Sequence, residues 1–143
     1  HWRQGVPDFE WETDIRSVLL AKVALNAVIN PLTALHGVTN GELLQPPLQA
    51  ITENVITEVQ NVLCAADFRE IASALPAQVR AVCSSTGANH SSMRVDLESG
   101  KRTEIDAIVG WLLSSLTPHP PATPLLSELY NAVRERDVRL SSA

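Results

Sequence analysis

Three polar side chains recur at intervals of four residues in a largely apolar segment, residues 18–35. Lys22, Asn26 and Asn30 occupy positions i, i+4 and i+8 of this segment. In an α-helix these steps drift by only about 80°, so the ammonium and the two amides share one face. A polar group left unpaired in a core costs about 1–3 kcal/mol, and a charge costs more. The face is therefore expected to meet water, a polar network or a ligand.

A purely structural interpretation of this face is also open, in which the lysine extends to solvent and the amides satisfy buried backbone groups. Pro31 is expected to bend or interrupt the helix, since proline lacks an N–H and its ring clashes with the preceding turn. Gly37 suits a helix exit, and Asn40-Gly41 is a turn dipeptide. A third asparagine is therefore expected on a turn just beyond the helix.

Two strings in the chain resemble the two halves of one family signature. The string KVALNAVINPLTALHGVTNGEL, residues 22–43, is similar to the substrate-side motif of ketopantoate reductases (2-dehydropantoate 2-reductases). The string NHSSMRVDLESGKRTEID, residues 89–106, is similar to the other half, in the family's order and at about its spacing. The resemblance covers essentially the whole chain, but only as the family's C-terminal helical domain.

The resemblance implies a concrete reaction and a role for the lysine. The family reduces the ketone of 2-dehydropantoate to the alcohol of pantoate, in pantothenate and CoA biosynthesis, with hydride from NADPH. Negative charge then builds on the ketone oxygen, so a proton donor must lie within hydrogen-bonding distance of it. By resemblance Lys22 is this donor, the general acid of catalysis. The structural alternative is a lysine that extends to solvent or forms an ion pair.

The same resemblance implies a set of substrate-binding residues. Asn26, Asn30 and Asn40 match the family's substrate-binding asparagines, whose amides can both donate to and accept from a small hydroxylated acid. Ser92 matches a serine that hydrogen-bonds the substrate carboxylate, and Asn89 occupies a family position nearby. Helix packing and turn formation are the structural alternatives for the asparagines.

Glu104 is the one residue that the resemblance assigns to the cofactor side. It lies twelve residues after Ser92 and matches a glutamate that reaches across the interdomain cleft towards NADPH. A first-turn acid favoured by the helix dipole is the alternative for Glu104. For the serine, the alternative is that Ser91 or Ser92 caps a short turn.

The nucleotide-binding half of such a reductase is missing from the sequence. A dinucleotide-binding turn needs clustered glycines after a strand. The six glycines here are at least four residues apart, and no G-x-G occurs. The family binds NADPH mainly through an N-terminal Rossmann domain, which we expect to be absent from this chain. The isolated chain is therefore expected to be inactive, and whether that domain was removed or is absent in nature stays open.

Composition and charge limit the partners and the compartment. Net charge is −5 with no basic block, which argues against nucleic acid. No signal peptide is predicted at the start of the sequence, and no apolar run is predicted to be long and clean enough to span a bilayer. The four histidines and two cysteines lack metal-ligand spacing, so no metal is predicted. Cys64 and Cys83 are expected to be buried free thiols in a reducing compartment, and a cytoplasmic location is predicted.

The elements that carry these residues are predicted to be helices, with no alternating strand pattern. The first predicted helix begins at Thr13 or Asp14 and runs to His36, and the second spans residues 48–64. The third begins at Asp67 with a Glu70 capping box and is divided or kinked at Pro76. Two further helices are predicted to begin at Thr103 and at Pro124. Residues 86–102 and 117–122 are expected to be loops, and the end of the chain from Arg134 is expected to fray.

The prediction for fold class is all-α, a compact multi-helix bundle around the Lys22 helix. It resembles the C-terminal domain of ketopantoate reductases and of 6-phosphogluconate dehydrogenase-like proteins. Residues 1–143 are predicted to form one substrate-binding and dimerisation domain, with a lead-in (1–12), a helical core (13–139) and a tail (140–143). Trp2, Phe9 and Trp11 are expected to be docking side chains near the start.

The expected partners are a small 2-oxo acid substrate and the family's N-terminal Rossmann domain, and a homodimer is left open. Two other functions are also left open. One is a non-catalytic helical module that keeps the fold but acts by self-association or partner binding. The other is a related reductase that acts on another 2-oxo acid or ketone.

Overall fold

A computed structural model describes the backbone of residues 8–142 and the side chains of residues 15–140. This part of the chain forms helices and no strand, which confirms the all-α prediction. The elements in order are α1 (Asp8–His36), a 3₁₀ turn (Asn40–Leu44), α2 (Leu48–Ala65), α3 (Arg69–Ser85), α4 (Ser92–Glu98), a π-helical turn (Asp106–Gly110) that runs into α5 (Trp111–Ser114), and α6 (Pro124–Ser142).

The central element is α1, against which α2, α3, α4, α6 and the π-helical turn all pack. Ala24 and Ala27 are fully buried, and their small side chains let neighbouring helices approach closely. The helix begins at Asp8, earlier than the predicted Thr13 or Asp14, and it continues without interruption through Pro31. Burial of the apolar residues on both sides of Pro31 outweighs the one backbone hydrogen bond that proline removes.

One segment of α1, Ile15–His36, is long and apolar enough to cross a membrane by length and composition alone. The prediction that no run meets these criteria was therefore wrong. The core helix of a soluble protein passes the same test, and 56% of the apolar window is buried inside the structure. The packing described above accounts for the apolar character of this segment.

Two neighbouring helices, α2 and α3, form a pair beside α1. The bounds of α2 agree with the prediction to within one residue. The start of α3 does not, because Asp67 takes a positive φ of 67° in the turn and Phe68 is the residue before the helix. The predicted capping box is therefore wrong, and α3 also continues through Pro76. The turn that packs Phe68 against the core decides where α3 begins.

A short helix, α4, occupies a segment that was predicted to be a loop. The Ser91 hydroxyl caps it by accepting a hydrogen bond from the Arg94 backbone N–H at 3.2 Å. Met93 is its one buried residue. Two turns with a single buried side chain are too short to show a helical period in the sequence, which is why periodicity missed this helix.

The last helix, α6, begins at the predicted Pro124, and a buried carboxylate holds its start. The backbone N–H groups of Leu125 and Leu126 donate to Glu58 of α2 at 3.0 and 2.8 Å. The other end, which was predicted to fray, is helical to Ser142 in this structure. Asp137 explains the difference, because it is buried and accepts hydrogen bonds from Thr103.

We expect Asp137→Ala to lower the free energy of unfolding by about 2–3 kcal/mol. The substitution removes a charged acceptor from the Thr103 backbone N–H (3.1 Å) and hydroxyl (2.7 Å), and it leaves both buried donors without this acceptor. Urea unfolding followed by circular dichroism measures the change. Glu135→Ala is the control on the same helix, because its exposed ion pair with Arg139 contributes less than about 1 kcal/mol. Equal losses in the two variants would show that Asp137 does not anchor the end of α6.

The two cysteines are both free thiols but differ in environment. Cys83 is buried as predicted, and burial raises its pKa to about 11. Cys64 is exposed, so the prediction of a buried thiol there was wrong. The predicted docking residues Trp2, Phe9 and Trp11 are not among the residues whose side chains the structure describes.

Candidate functional site

The polar face of α1 passes from solvent into the protein along its length. The Lys22 side chain is exposed, Asn26 is half-buried, and Asn30 is buried. One helix therefore presents a solvent-facing ammonium at one end and a shielded amide two turns further on. This is the common face that the four-residue spacing predicts, with a gradient of burial that the spacing does not show.

The third asparagine lies where two loops are joined by their backbones. The backbone N–H of Asn40 donates to the carbonyl oxygen of Asn89, and the N–H of Gly41 donates to that of Gly87, both at 3.0 Å. An added Cβ on Gly41 would lie 2.9 Å from the Cα and carbonyl oxygen of Gly87, closer than real Cβ atoms approach. Glycine at position 41 therefore permits the approach that brings Asn40 next to the Asn89 loop.

The Asn40 side chain is buried, and only one end of its amide has a partner. Its Nδ2 donates to the Thr86 hydroxyl at 3.0 Å. Its Oδ1 is shielded from solvent and accepts no hydrogen bond. A buried acceptor without a donor costs about 1–3 kcal/mol, so an unpartnered atom of this kind is a candidate ligand contact.

Two adjacent serines at the start of α4 have different environments. Ser91 is buried, and its Oγ lies 2.6 Å from Oγ1 of Thr33, one turn beyond Asn30 on α1. It also caps α4, so the capping alternative holds for Ser91. Ser92 is exposed and directly follows Ser91 in the sequence. The link joins the loop before α4 to the polar face of α1.

The structure thus brings most of the predicted site residues onto three adjoining elements, which we call the polar cluster. Its members lie on α1, on the Asn40 turn and on residues 89–92, which lead from the loop into the first residue of α4: Lys22, Asn26, Asn30, Asn40, Asn89 and Ser92. Glu104 is exposed just before the π-helical turn. Among the described residues, no hydrogen bond or ion pair joins its side chain to the polar cluster.

Three residues that position the polar cluster were missed by the sequence analysis. Thr33 and Ser91 tie α1 to α4, and Thr86 orients the Asn40 amide. Thr33 carried a signal, since it follows Asn30 by three residues and extends the same polar face. Thr86 carried none, because it contacts a residue 46 positions away in a segment that shows no periodicity.

Two cavities lie away from the polar cluster. One, of about 480 Å³, is apolar and borders the N-terminal half of α1, where Leu19 and Val23 face Phe68 and Trp111. The other, of about 450 Å³, lies between the end of α1 and α6 and includes His36, Glu98 and two arginines, Arg136 and Arg139. Neither cavity is lined by Lys22, whose side chain is exposed.

The residues present fit a substrate better than a nucleotide or a metal ion. The part of the chain with described side chains contains no group of three or more His, Cys, Asp or Glu residues that could hold a metal ion. The glycines are too far apart to form a phosphate-binding turn, as the sequence already indicated. The amides and hydroxyls of the polar cluster can donate to and accept from a small polar acid.

Comparisons with known proteins show a sequence likeness over nearly the whole chain. A family profile described as "Ketopantoate reductase PanE/ApbA C terminal" matches residues 14–137. The 2-dehydropantoate 2-reductase of Salmonella typhimurium is 39% identical over 137 residues, 94% of this chain and 44% of that protein. The enzyme of Yersinia pestis is 35% identical over 134 residues, with the same coverage. The chain therefore spans less than half the length of these relatives.

Solved structures agree with this likeness. The probable 2-dehydropantoate 2-reductase of Bacillus subtilis is 38% identical with a TM-score of 0.70, over 81% of this chain and 39% of that one. A D-mandelate dehydrogenase solved with NADH and anilino(oxo)acetate has a TM-score of 0.76 at 21% identity, over 90% of this chain and 54% of that one, which shows a shared fold alone. Because the family profile covers most of the chain, this protein belongs to the PanE/ApbA ketopantoate reductase family, as its C-terminal domain.

Proposed function

We propose that this chain is the substrate-binding part of an NADPH-dependent 2-dehydropantoate 2-reductase, with Lys22 as the general acid. The observation that carries the proposal is the polar cluster, in which one face of α1 presents an exposed ammonium and the amides of Asn26 and Asn30, and the Asn40 turn packs against the same helix. Family membership supports the reaction, since relatives 35–39% identical to this chain are named 2-dehydropantoate 2-reductases.

The gradient of burial along α1 supports separate roles for its polar residues. Lys22 and Asn30 are eight residues apart, roughly 12 Å along the helix axis. An exposed ammonium can meet the ketone of a bound acid and donate a proton to its oxygen as negative charge develops there. The shielded amides can hold the other polar groups of the acid, where water competes less for their hydrogen bonds. Ser92 and Asn89 would contact its carboxylate end.

A second domain is required for the complete reaction. NADPH, when bound, supplies the hydride, but this chain offers no glycine cluster for its pyrophosphate. Most of the cofactor would therefore be bound by a domain beyond this chain, and Glu104 would face it across the cleft. The isolated chain is expected to be inactive. We also propose a cytoplasmic location, as suits a biosynthetic reductase.

An exposed apolar surface beside Lys22 supports an interface with that second domain. Ile15, Val18 and Leu19 on α1 are 43%, 69% and 57% exposed, and Leu19 also lines the apolar cavity together with Trp111. The same surface favours the second candidate function, an interaction module that associates with another copy of the chain. A tight dimer of the isolated chain, measured by analytical ultracentrifugation, would support this candidate.

The test of the proposed function is NADPH oxidation by the complete polypeptide that the gene encodes. With ketopantoate as substrate, we expect saturable oxidation at 340 nm and pantoate as the product. With this chain alone, we expect no turnover. Absence of turnover by the complete polypeptide with ketopantoate would contradict the proposal, and turnover with a different 2-oxo acid alone would identify a related reductase instead.

A further inference from the structure

The hydrogen bonds around Thr86 determine which end of the Asn40 amide faces Thr86 and which end faces away from it. A threonine hydroxyl has one proton to donate. Thr86 donates that proton to the backbone carbonyl oxygen of Val82, at 2.6 Å. In the 3.0 Å hydrogen bond with Asn40, the Thr86 hydroxyl oxygen can therefore only be the acceptor. The amide group next to Thr86 must be the NH₂, and the carbonyl oxygen Oδ1 must face the other way.

The position of Asn40 leaves the side chain little freedom to reverse this arrangement. The residue is 8% exposed, and its backbone N–H is held by the carbonyl of Asn89. A flipped amide would place Oδ1 against a hydroxyl oxygen that has no proton left to donate. The same flip would leave the buried NH₂ without its acceptor. Both effects oppose the flipped orientation.

The outcome is a shielded acceptor with no donor. Oδ1 of Asn40 is the one buried side-chain polar atom without a partner among the described side chains. A hydroxyl group that reaches it satisfies the acceptor in a place where water does not compete. A methyl group in the same place leaves the acceptor unpaired. A site built in this way discriminates strongly between a ligand with a hydroxyl and its analogue without one.

We propose that Thr86 is a positioning residue that fixes the Asn40 amide with Oδ1 turned away from Thr86, and that this makes the site selective for 2-oxo acids that carry a hydroxyl donor. Thr86 acts through Asn40 and does not touch the ligand itself. Because Oδ1 is shielded, the ligand reaches it after a local shift of the side chains that cover it. This inference rests on the proposed function for its substrate class, and on the hydrogen-bond pattern alone for the role of Thr86.

The test compares ketopantoate with 3,3-dimethyl-2-oxobutanoate, in which a methyl group replaces the hydroxymethyl group. Each variant of the complete polypeptide is assayed for kcat/KM with both acids. In Thr86→Val the amide loses its fixed orientation, and we expect the preference for ketopantoate to fall by about tenfold, a change of about 1.4 kcal/mol. Activity with the analogue is expected to change by less than about twofold, since that acid does not use the acceptor.

Two further variants separate positioning from general damage. Thr86→Ser keeps the hydroxyl and is expected to restore the preference to within about twofold of the unsubstituted protein. Thr57→Val removes a threonine hydroxyl that makes a comparable bond to the carbonyl four residues earlier, at 3.1 Å, and it is expected to leave the preference unchanged. A preference that is unaltered in Thr86→Val, in an enzyme that reduces ketopantoate, would overturn the inference.

A second measurement keeps the inference testable if ketopantoate is not the substrate. In ¹⁵N-labelled chain, the Asn40 side-chain NH₂ is expected to show slow hydrogen exchange and fast exchange after Thr86→Val. Equal exchange in both proteins would overturn the positioning role. Slow exchange together with no reduction of ketopantoate would leave that role intact and would instead contradict the proposed function.

Discussion

Lys22→Ala is expected to lower kcat of the complete enzyme for ketopantoate by about 10²- to 10⁴-fold, the range that loss of a general acid produces. The exposed ammonium lies at the open end of the polar cluster, where the ketone of a bound acid would meet it. If it donates the proton as charge develops on the ketone oxygen, the loss should affect kcat more than KM, because the interaction strengthens in the transition state.

Steady-state kinetics of three variants distinguish proton donation from simple attraction of the substrate. Lys22→Arg keeps the positive charge, but a guanidinium does not release its proton near neutral pH. We therefore expect Lys22→Arg to lose nearly as much kcat as Lys22→Ala. Lys101→Ala removes the other lysine of the chain, which is also exposed, and should change kcat by less than about twofold. Full activity in Lys22→Arg would show that the position supplies only charge.

The main helices could be predicted because each depends on local apolar spacing. Ile51, Val55, Val59 and Leu63 recur every four residues, and α2 follows with nearly the predicted bounds. The helix ends were less predictable, because contacts from elsewhere decide them. Asp137 holds α6 helical past the expected point by bonding Thr103, a residue 34 positions earlier. A sequence window centred on α6 contains no trace of that partner.

The polar cluster, too, was predictable only where it depends on local sequence spacing. The common face of Lys22, Asn26 and Asn30 follows from the helical period, and α1 presents it as predicted. The hydrogen bonds that hold the elements of the cluster together connect residues far apart in sequence. Thr33 and Ser91, for example, are 58 positions apart. These hydrogen bonds depend on how α4 packs against α1, and periodicity carries no information about that packing.

Gly41→Ala is expected to disturb both the fold and the site, because its Cβ would strike backbone and not a flexible side chain. The added atom would lie 2.9 Å from the Cα and carbonyl oxygen of Gly87 and 3.3 Å from the carbonyl carbon. Relief requires the two loops to separate, which weakens the bonds from Asn40 to Asn89 and from Gly41 to Gly87. We expect a loss of about 1–3 kcal/mol in the free energy of unfolding, as for overpacked cores.

Gly87→Ala is the matched control, because the contact between the two glycines is not symmetric. A Cβ on Gly87 would lie 3.4 Å or more from its nearest neighbours, the carbonyl oxygens of Cys83 and Ser84, at ordinary contact distance. Urea unfolding should therefore show a loss for Gly87→Ala that is well below the loss for Gly41→Ala. The KM for ketopantoate should rise in Gly41→Ala alone, since separation of the loops moves Asn40 out of the polar cluster. Equal stability and equal KM in the two variants would mean that the close approach at Gly41 neither holds the loops together nor positions Asn40.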